Sequence, residues 1–221
     1  MLEARGLTKS YGRTRALTGV SLQLAEGEIL AVTGPSGSGK STLLHCLAGI
    51  VRPESGEVVL DGRRIDTLAE AELTRLRRAS FGVVFQFGEL VPELTAAENV
   101  ALPMLFNRHG RQESMNAAAD MLARLGVPDC ADQRPGELSG GQLQRVAVAR
   151  ALVTGPRVVF ADEPTGALDT LGGEQVMSAL LGAARAGGTA VVLVTHDNRV
   201  AAYADREIAL RDGAVLTGIS Q

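Results

Sequence analysis

The sequence lacks several features that define common classes of protein. Tryptophan is absent, aromatic residues make up only 3% of the chain, and the only two cysteines are Cys46 and Cys130. Such sparse cysteine, without metal-ligand spacing, excludes a disulfide framework and a zinc site and fits a reducing cytoplasm. No run approaches the ~18 to 20 apolar residues of a spanning helix, and the N-terminus has no signal-peptide stretch. We expect another chain to supply any membrane crossing.

The chain also lacks a surplus of positive charge. It carries 22 Lys and Arg against 25 Asp and Glu, a formal charge of -3 over 221 residues. This balance argues against nucleic acid as a partner, so any binding of phosphate has to be local. With 45% apolar residues, the chain is long enough to bury one large core or two tightly joined lobes.

Apolar runs outline the fold. Three of them, EILAVT, RVVFAD and TAVVLVTHD, are continuous rather than alternating, as in parallel strands buried on both faces. Shorter β-like runs at 20–24 and 57–60 predict an antiparallel layer near the N-terminus. Residues 114–125 and 142–152 have helical composition and are separated by Gly126, Pro128 and Pro135. These runs predict a helical insertion in an α/β core.

A glycine-rich segment, GPSGSGKST, follows the first continuous run and precedes a helix-like stretch. It matches the phosphate-binding loop pattern G-x-x-x-x-G-K-[ST], whose backbone N–H groups and following helix N-terminus hold anionic phosphates. The alternative is a plain glycine-rich turn between strand and helix. We expect Lys40 to reach the β- and γ-phosphates and Ser41 to ligate Mg²⁺. The motif predicts a nucleoside triphosphate without choosing among families of NTPase, and the residues predicted to bind it are Gly34, Pro35, Ser36, Gly37, Ser38, Gly39, Lys40, Ser41 and Thr42.

Two adjacent carboxylates, Asp162 and Glu163, end the second continuous run, and Pro164 follows them. Open α/β sheets bind ligands at this edge, where one carboxylate can hold Mg²⁺ and its neighbour can orient or deprotonate the attacking water. We assign Asp162 to the metal and Glu163 to the water. A solvated acidic strand end is the alternative interpretation.

These motifs together define the predicted fold. It is an α/β protein with a P-loop NTPase core, an N-terminal antiparallel β layer and an inserted α-helical subdomain. We expect one nucleotide-binding domain over residues 1–221. Its core lobe covers about 1–90 and 156–221, and its helical subdomain covers about 91–155.

The segment LSGGQ, residues 138–142, opens an Ala- and Arg-rich helical stretch. Ser139 and Gln142 have the spacing of a capping box, and Gly140 and Gly141 leave N–H groups exposed for a phosphate. With this signature, nearly the whole chain resembles the nucleotide-binding domain of ATP-binding cassette (ABC) proteins.

The resemblance implies further site residues. Gln86 resembles the Q-loop glutamine that contacts Mg²⁺ or water, Ala167–Leu168–Asp169 resembles the D-loop, and His196 resembles the switch histidine at the γ-phosphate. Tyr11 stands where the family stacks an aromatic ring on adenine, although it could instead be a core aromatic. His196 alone could be a core-edge histidine. His45 and His109 lack such context and are assigned to packing and to a loop.

The resemblance also implies an assembly. In the family, the signature of one subunit, here Ser139, Gly140, Gly141 and Gln142, faces the nucleotide on the P-loop of the other. Two ATP molecules, with Mg²⁺, would thus be held in a homodimer that closes on ATP binding and opens after hydrolysis.

The stretch FQFGELVPELTAAENVALPM resembles the lipoprotein-release and macrolide-efflux branch. This implies an ATPase on the cytoplasmic face of a bacterial membrane that drives export through two separate copies of a four-span permease. The cargo stays open. One alternative is a cell-division-type mechanotransmitter that moves no cargo. Another, a soluble cassette acting on DNA or ribosomes, is disfavoured because the chain has no second cassette, coiled-coil insertion, zinc cysteines or basic surplus.

Overall fold

A computed structural model describes residues 1–216 and shows a mixed α/β protein. The strands are β1 (Leu2–Tyr11), β2 (Thr14–Leu24), β3 (Ile29–Thr33), β4 (Ser55–Leu60), β5 (Arg63–Arg64), β6 (Phe81–Val84), β7 (Val158–Asp162), β8 (Ala190–Val194), β9 (Arg206–Arg211) and β10 (Ala214–Val215). The helices are α1 (Lys40–Leu47), α2 (Glu70–Ser80), α3 (Ala96–Phe106), α4 (Arg111–Arg124), α5 (Gly140–Leu152), α6 (Thr170–Gly187) and α7 (Asn198–Ala201).

The chain divides into two compact units. The first comprises residues 1–77 and 190 onward, and the second comprises residues 78–189. The division differs from the predicted core lobe and helical subdomain, whose bounds stay a prediction. The α/β fold class itself is confirmed, including the antiparallel layer and the helical segments.

In the first unit, β1 pairs antiparallel with both β2 and β4, and β5 extends this sheet from β4. This is the predicted antiparallel layer, with longer strands than the short apolar runs indicated. A second sheet places β3 between β8 and β9, parallel to both. Every residue of β3 and of β8 is buried, which explains their continuous apolar sequence.

In the second unit, β6 and β7 pair in parallel. The rings of Phe81 and Phe160 meet edge to face across this pair, with centroids 5.2 Å apart. Helices α4 and α5 match the predicted stretches to within three residues. Gly126, Pro128 and Pro135 lie between them, and each proline begins a 3₁₀ turn.

Candidate functional site

The glycine-rich loop lies between β3 and α1 in the first unit. Gly34, Gly37 and Gly39 all have positive φ, at 141°, 78° and 103°. A Cβ on Gly34 would collide with the carbonyl oxygen of Leu210, and one on Gly39 with that of Ala16. The loop therefore needs glycine for its backbone conformation and for its close approach to neighbouring chain, as a phosphate-binding loop does.

Lys40 begins α1 and is only 8% exposed. Its Nζ donates hydrogen bonds to Gly34 O at 2.8 Å and to Pro35 O at 3.0 Å, so the ammonium group lies across the mouth of the loop. Ser38 Oγ is buried and has no hydrogen-bond partner within residues 1–216. A buried cation, an orphan hydroxyl and a helix N-terminus together make a site for an anion.

Two further residues of the first unit are open to solvent. Tyr11 ends β1 with 51% of its surface exposed, so the alternative of a core aromatic is wrong. Lys9 Nζ lies 5.7 Å from the centroid of the Tyr11 ring. His196 is also exposed and follows β8 and the buried Thr195, so it is no core histidine. Adenine stacking and γ-phosphate contact stay predictions.

The carboxylates lie in the second unit. Asp162 is the last residue of β7, and both it and Glu163 are half-buried. Glu163 has a φ of 47°, a left-handed conformation that costs a non-glycine residue about 1–2 kcal/mol. Its carbonyl accepts a hydrogen bond from Gly166 N at 3.0 Å, which holds this turn. Backbone strain of this kind concentrates at reactive residues.

The structure brings Gln86, the D-loop and the signature together within the second unit. A Cβ on Gly166 would lie 2.7 Å from Gln86 Nε2, and one on Gly140 would lie 3.3 Å from Leu168 Cδ2. Asp169 caps α6 by accepting a hydrogen bond from Gly172 N at 2.7 Å. Gly166, directly before the D-loop segment, thus lies against Gln86, and Leu168 within the segment lies near the signature.

The signature is both a helix cap and an exposed surface. Ser139 Oγ accepts from Gln142 N at 3.3 Å, and Gln142 Oε1 accepts from Ser139 N at 2.9 Å, as the capping-box interpretation predicts. Gly141 has no positive φ, and a Cβ there would meet nothing within 4 Å. Since glycine costs a helix ~1 kcal/mol relative to alanine, the fold itself gives no reason for it. The open space suits an external ligand.

Some residues of this region carry no signal in the sequence. Gln144 and Arg150 of α5 donate hydrogen bonds to carbonyls of residues 85–89, and Asn99 of α3 does so to Val91 O. Gln144 and Arg150 are six residues apart, about 120° around a helix, so helical periodicity neither groups them nor identifies the carbonyls they meet. Of the histidines without a role, His45 is half-buried in α1 and His109 lies 2.9 Å from Glu113 Oε1.

The geometry of the loop and of the carboxylates defines a class of protein. A strand, a glycine-rich loop with a buried lysine and a helix, together with two carboxylates after a buried strand, form a P-loop nucleotide-binding protein. Across residues 1–216, no three or more His, Cys, Asp or Glu side chains cluster to hold a metal ion. No helix in the same range is long and apolar enough to cross a membrane.

Comparison with known proteins gives the family. Residues 17–166 match the ABC transporter family. The lipoprotein-releasing system ATP-binding protein LolD of Bacteroides thetaiotaomicron is 41% identical, over 97% of this chain and 99% of that protein. The macrolide export ATP-binding/permease protein MacB of Nitrosomonas europaea is 46% identical over 98% of this chain. That alignment covers only 33% of MacB, so the chain spans about a third of the length of this relative.

Solved structures agree. The dimeric, post-hydrolysis form of the ATP-binding cassette MJ0796 with ADP and Pi matches with a TM-score of 0.89 and 42% identity. The match covers 97% of this chain and 96% of that one. The chain belongs to the ABC transporter family and carries its ATP-binding, ATP-hydrolysing cassette.

Proposed function

We propose that this chain is the ATPase subunit that drives export or extraction of a substrate through separate membrane permease subunits. The observation that carries the ATPase part of the proposal is the buried Lys40 ammonium held across a glycine loop at the N-terminus of α1. When ATP binds, its phosphates would replace Gly34 O and Pro35 O as partners of Lys40. The position of the Lys40 ammonium at the loop supports its assignment to the phosphates.

Each site residue has a separate role in binding or hydrolysing ATP. Lys40 neutralises the β- and γ-phosphates, the loop amides bind their oxygens, and Tyr11 stacks on adenine. Ser41, Asp162 and Gln86 would hold Mg²⁺, which when bound offsets the charge of the phosphates. Glu163 orients and deprotonates the attacking water, and His196 contacts the γ-phosphate. The donor set of hydroxyl, carboxylate and amide oxygens suits this hard cation.

We further propose that the working form is a homodimer. The N–H groups of Gly140 and Gly141, with Ser139 Oγ, would bind the γ-phosphate held by the partner copy, and Asp169 would lie at the same interface. The open space over Gly141 and the dimeric state of the MJ0796 cassette support this arrangement. Loss of the γ-phosphate would remove the bridge between the copies.

The membrane partner would be two copies of a MacB-like, four-span permease, with this chain on the cytoplasmic face of a bacterial membrane. The relatives named for lipoprotein release and macrolide export support export as the direction. Phe87, directly after Gln86, is 69% exposed and so is accessible to a partner. We assign Phe87 to contact with the permease.

The experiment measures ATP turnover of the protein with its membrane partner in lipid, with and without candidate cargoes. Glu163→Gln is expected to lower kcat by a factor of about 100 or more while ATP still binds. Glu174→Gln, on the exposed face of α6, is the matched control and is expected to turn over normally. Normal turnover in Glu163→Gln would overturn the assignment of the catalytic residue.

Two further outcomes test the proposed export function and the proposed homodimer. A cargo that stimulates turnover supports export, whereas cargo-independent turnover with an intact permease favours the mechanotransmitter alternative. Glu163→Gln loaded with ATP is expected to accumulate as a dimer by size-exclusion chromatography. If ATP-loaded Glu163→Gln stays monomeric even with the permease present, the proposed homodimer is contradicted.

A further inference from the structure

The backbone directly after Gln86 forms a tight turn in an unfavourable conformation. Gly88 and Glu89 both have positive φ, at 70° and 45°. Gly88 N donates to Phe85 O at 3.1 Å, and Glu89 N donates to Phe87 O at 2.8 Å. Glu89 has a Cβ and gains nothing from a left-handed backbone, so other contacts have to hold the turn in place.

Arg150 of α5 supplies those contacts. Its Nη1 donates to Glu89 O at 2.8 Å, and its Nη2 donates to Gly88 O at 2.8 Å. The planar guanidinium therefore holds Gly88 and the strained Glu89 with one nitrogen each, a geometry that a lysine cannot reproduce. Burial lowers the pKa of Arg150 and the Glu89 carboxylate opposes that shift, yet an arginine keeps its charge.

Two other residues of α5 meet the same turn. Gln144, only 2% exposed, donates from Nε2 to Phe85 O at 2.9 Å. A Cβ on Gly88 would lie 2.3 Å from Leu143 Cδ2, so the turn packs closely against the helix. Both ends of the turn are thus fastened to α5, whose N-terminus carries the signature glycines.

We propose that Arg150 is a positioning residue: by holding the carbonyls of Gly88 and Glu89, it fixes the turn that follows Gln86 and ties that turn to the signature helix. Gln86 then keeps the placement from which it acts on Mg²⁺ and the attacking water. Displacement of this turn would be transmitted to α5, and displacement of α5 would reach Gln86. The inference rests on the proposed role of Gln86 in hydrolysis.

The test is a double-mutant cycle on the protein with its membrane partner in lipid. Arg150→Lys keeps the charge but loses one of the two carbonyl bonds, and it is expected to lower kcat by about fivefold or more, with KM for ATP within twofold. Gln86→Ala is expected to lower kcat as well. The double variant is expected to match Gln86→Ala, because Arg150 acts through Gln86. Additive losses would overturn the proposal.

Hydrogen exchange gives a second readout. Arg150→Lys is expected to speed exchange of the amides in residues 85–91 and to leave β7 unchanged. Arg145→Lys is the matched control on the same helix, since Arg145 bonds Gly141 O and Gly126 O and does not touch the turn. Equal exchange in Arg150→Lys and wild type would show that Arg150 does not hold the turn, which overturns the proposal.

Other outcomes separate this inference from the proposed function. If Glu163→Gln turns over normally, the catalytic assignment fails regardless of Arg150. If Glu163→Gln is inactive but Gln86→Ala has a normal kcat, the assignment of Glu163 to hydrolysis is supported. The proposed roles of Gln86 and Arg150 are then both wrong. Should Arg150→Lys not fold, Gln144→Ala removes the other side-chain bond from α5 to the turn, at Phe85 O, and is expected to show the same non-additivity with Gln86→Ala.

Discussion

The side chain of Gln86 lies against the backbone of Gly166, close enough that a Cβ on Gly166 would stand 2.7 Å from Gln86 Nε2 and 3.2 Å from its Cδ. The φ of Gly166 is not in the left-handed region, so its backbone would accept alanine. The neighbouring glutamine is therefore what an added methyl group would displace. This contact connects Gln86 to the residue directly before the D-loop, inside one unit of the chain.

Gly166→Ala is accordingly expected to impair hydrolysis more than stability. The methyl group would push the Gln86 amide by about an ångström, and misplacement of that size can lower kcat by up to about a hundredfold. ATP turnover and the thermal unfolding midpoint measure the two effects. A normal kcat would mean that Gln86 does not act from its observed position.

The control is another glycine-to-alanine change at a residue with open surroundings. Gly182 lies within α6, and a Cβ there meets nothing within 4 Å. Gly182→Ala is expected to leave kcat unchanged and to stabilise the protein by about 0.5–1 kcal/mol, because alanine is the better helix former. A loss of activity in this variant would show that the assay responds to unrelated changes.

Two glycines of the phosphate loop are predicted to differ. A Cβ on Gly34 would strike Leu210 O and stand 2.8 Å from Ser38 Oγ, whereas a Cβ on Gly37 meets nothing within 4 Å. Gly37→Ala is expected to cost about 1–2 kcal/mol for its left-handed backbone and to keep ATP binding. Gly34→Ala adds a collision with rigid backbone and is expected to lose ATP binding.

Urea unfolding and titration with a fluorescent ATP analogue test this pair. If Gly34→Ala and Gly37→Ala lose equal amounts of stability and of ATP affinity, the contact with Leu210 does not constrain the loop.

Much of the site follows from the sequence for a physical reason. The continuous apolar runs at β3, β7 and β8 are strands buried on both faces, and the polar residues that follow β3 and β7 lie at strand ends. The capping pair at Ser139 also needs only residues three apart. Local patterns of this kind depend on residues close together in the sequence and not on the rest of the fold.

Contacts between residues far apart in the chain cannot be predicted from the sequence in this way. Arg150 and Glu89 are 61 residues apart, and no pattern in either segment says that a guanidinium will meet those carbonyls. The left-handed backbone of Glu163 is equally hidden, because glutamate carries no preference for it. The full length of β1 was obscured by its bulged pairing with β2, which breaks the two-residue alternation.

A pH-dependent contribution to stability is expected at Asp66. Its carboxylate accepts hydrogen bonds from Val58 N at 3.0 Å and from Arg64 Nη2 at 2.6 Å, with the side chain 8% exposed. Burial opposes the charged form, but these bonds outweigh it and lower the pKa of Asp66 below its ordinary 3.8. Asp66 therefore stabilises the fold fully above pH 3.8, and that stabilisation is lost as pH falls through the folded-state pKa.

Asp66→Asn is expected to lower the free energy of unfolding by about 1–2 kcal/mol at neutral pH, because the bonds lose their charge. The difference from wild type is expected to shrink below pH ~4. Urea unfolding between pH 7 and 3 measures it. Asp120→Asn, exposed on α4, is expected to stay within about 0.5 kcal/mol of wild type. A difference for Asp66→Asn that does not change with pH contradicts the assignment.

Tyr11 is expected to bind adenine and not phosphate. The ring is exposed and is not part of the hydrophobic core, so it can stack on a base without opening a cavity in the core. Tyr11→Ala is expected to weaken ATP binding by about fivefold, equivalent to ~1 kcal/mol, and to leave tripolyphosphate binding unchanged. Tyr11→Phe is expected to bind ATP normally, since it keeps the ring. Calorimetric titration with both ligands measures each case.

The matched control is Tyr203→Ala, which removes a tyrosine 39% exposed elsewhere in the same unit. It is expected to bind both ligands as wild type does. If Tyr11→Ala weakens ATP and tripolyphosphate equally, the ring supports the loop and does not stack on the base. If Tyr11→Ala binds ATP normally, the adenine is held by other residues, and the placement of Tyr11 at the end of β1 serves another purpose.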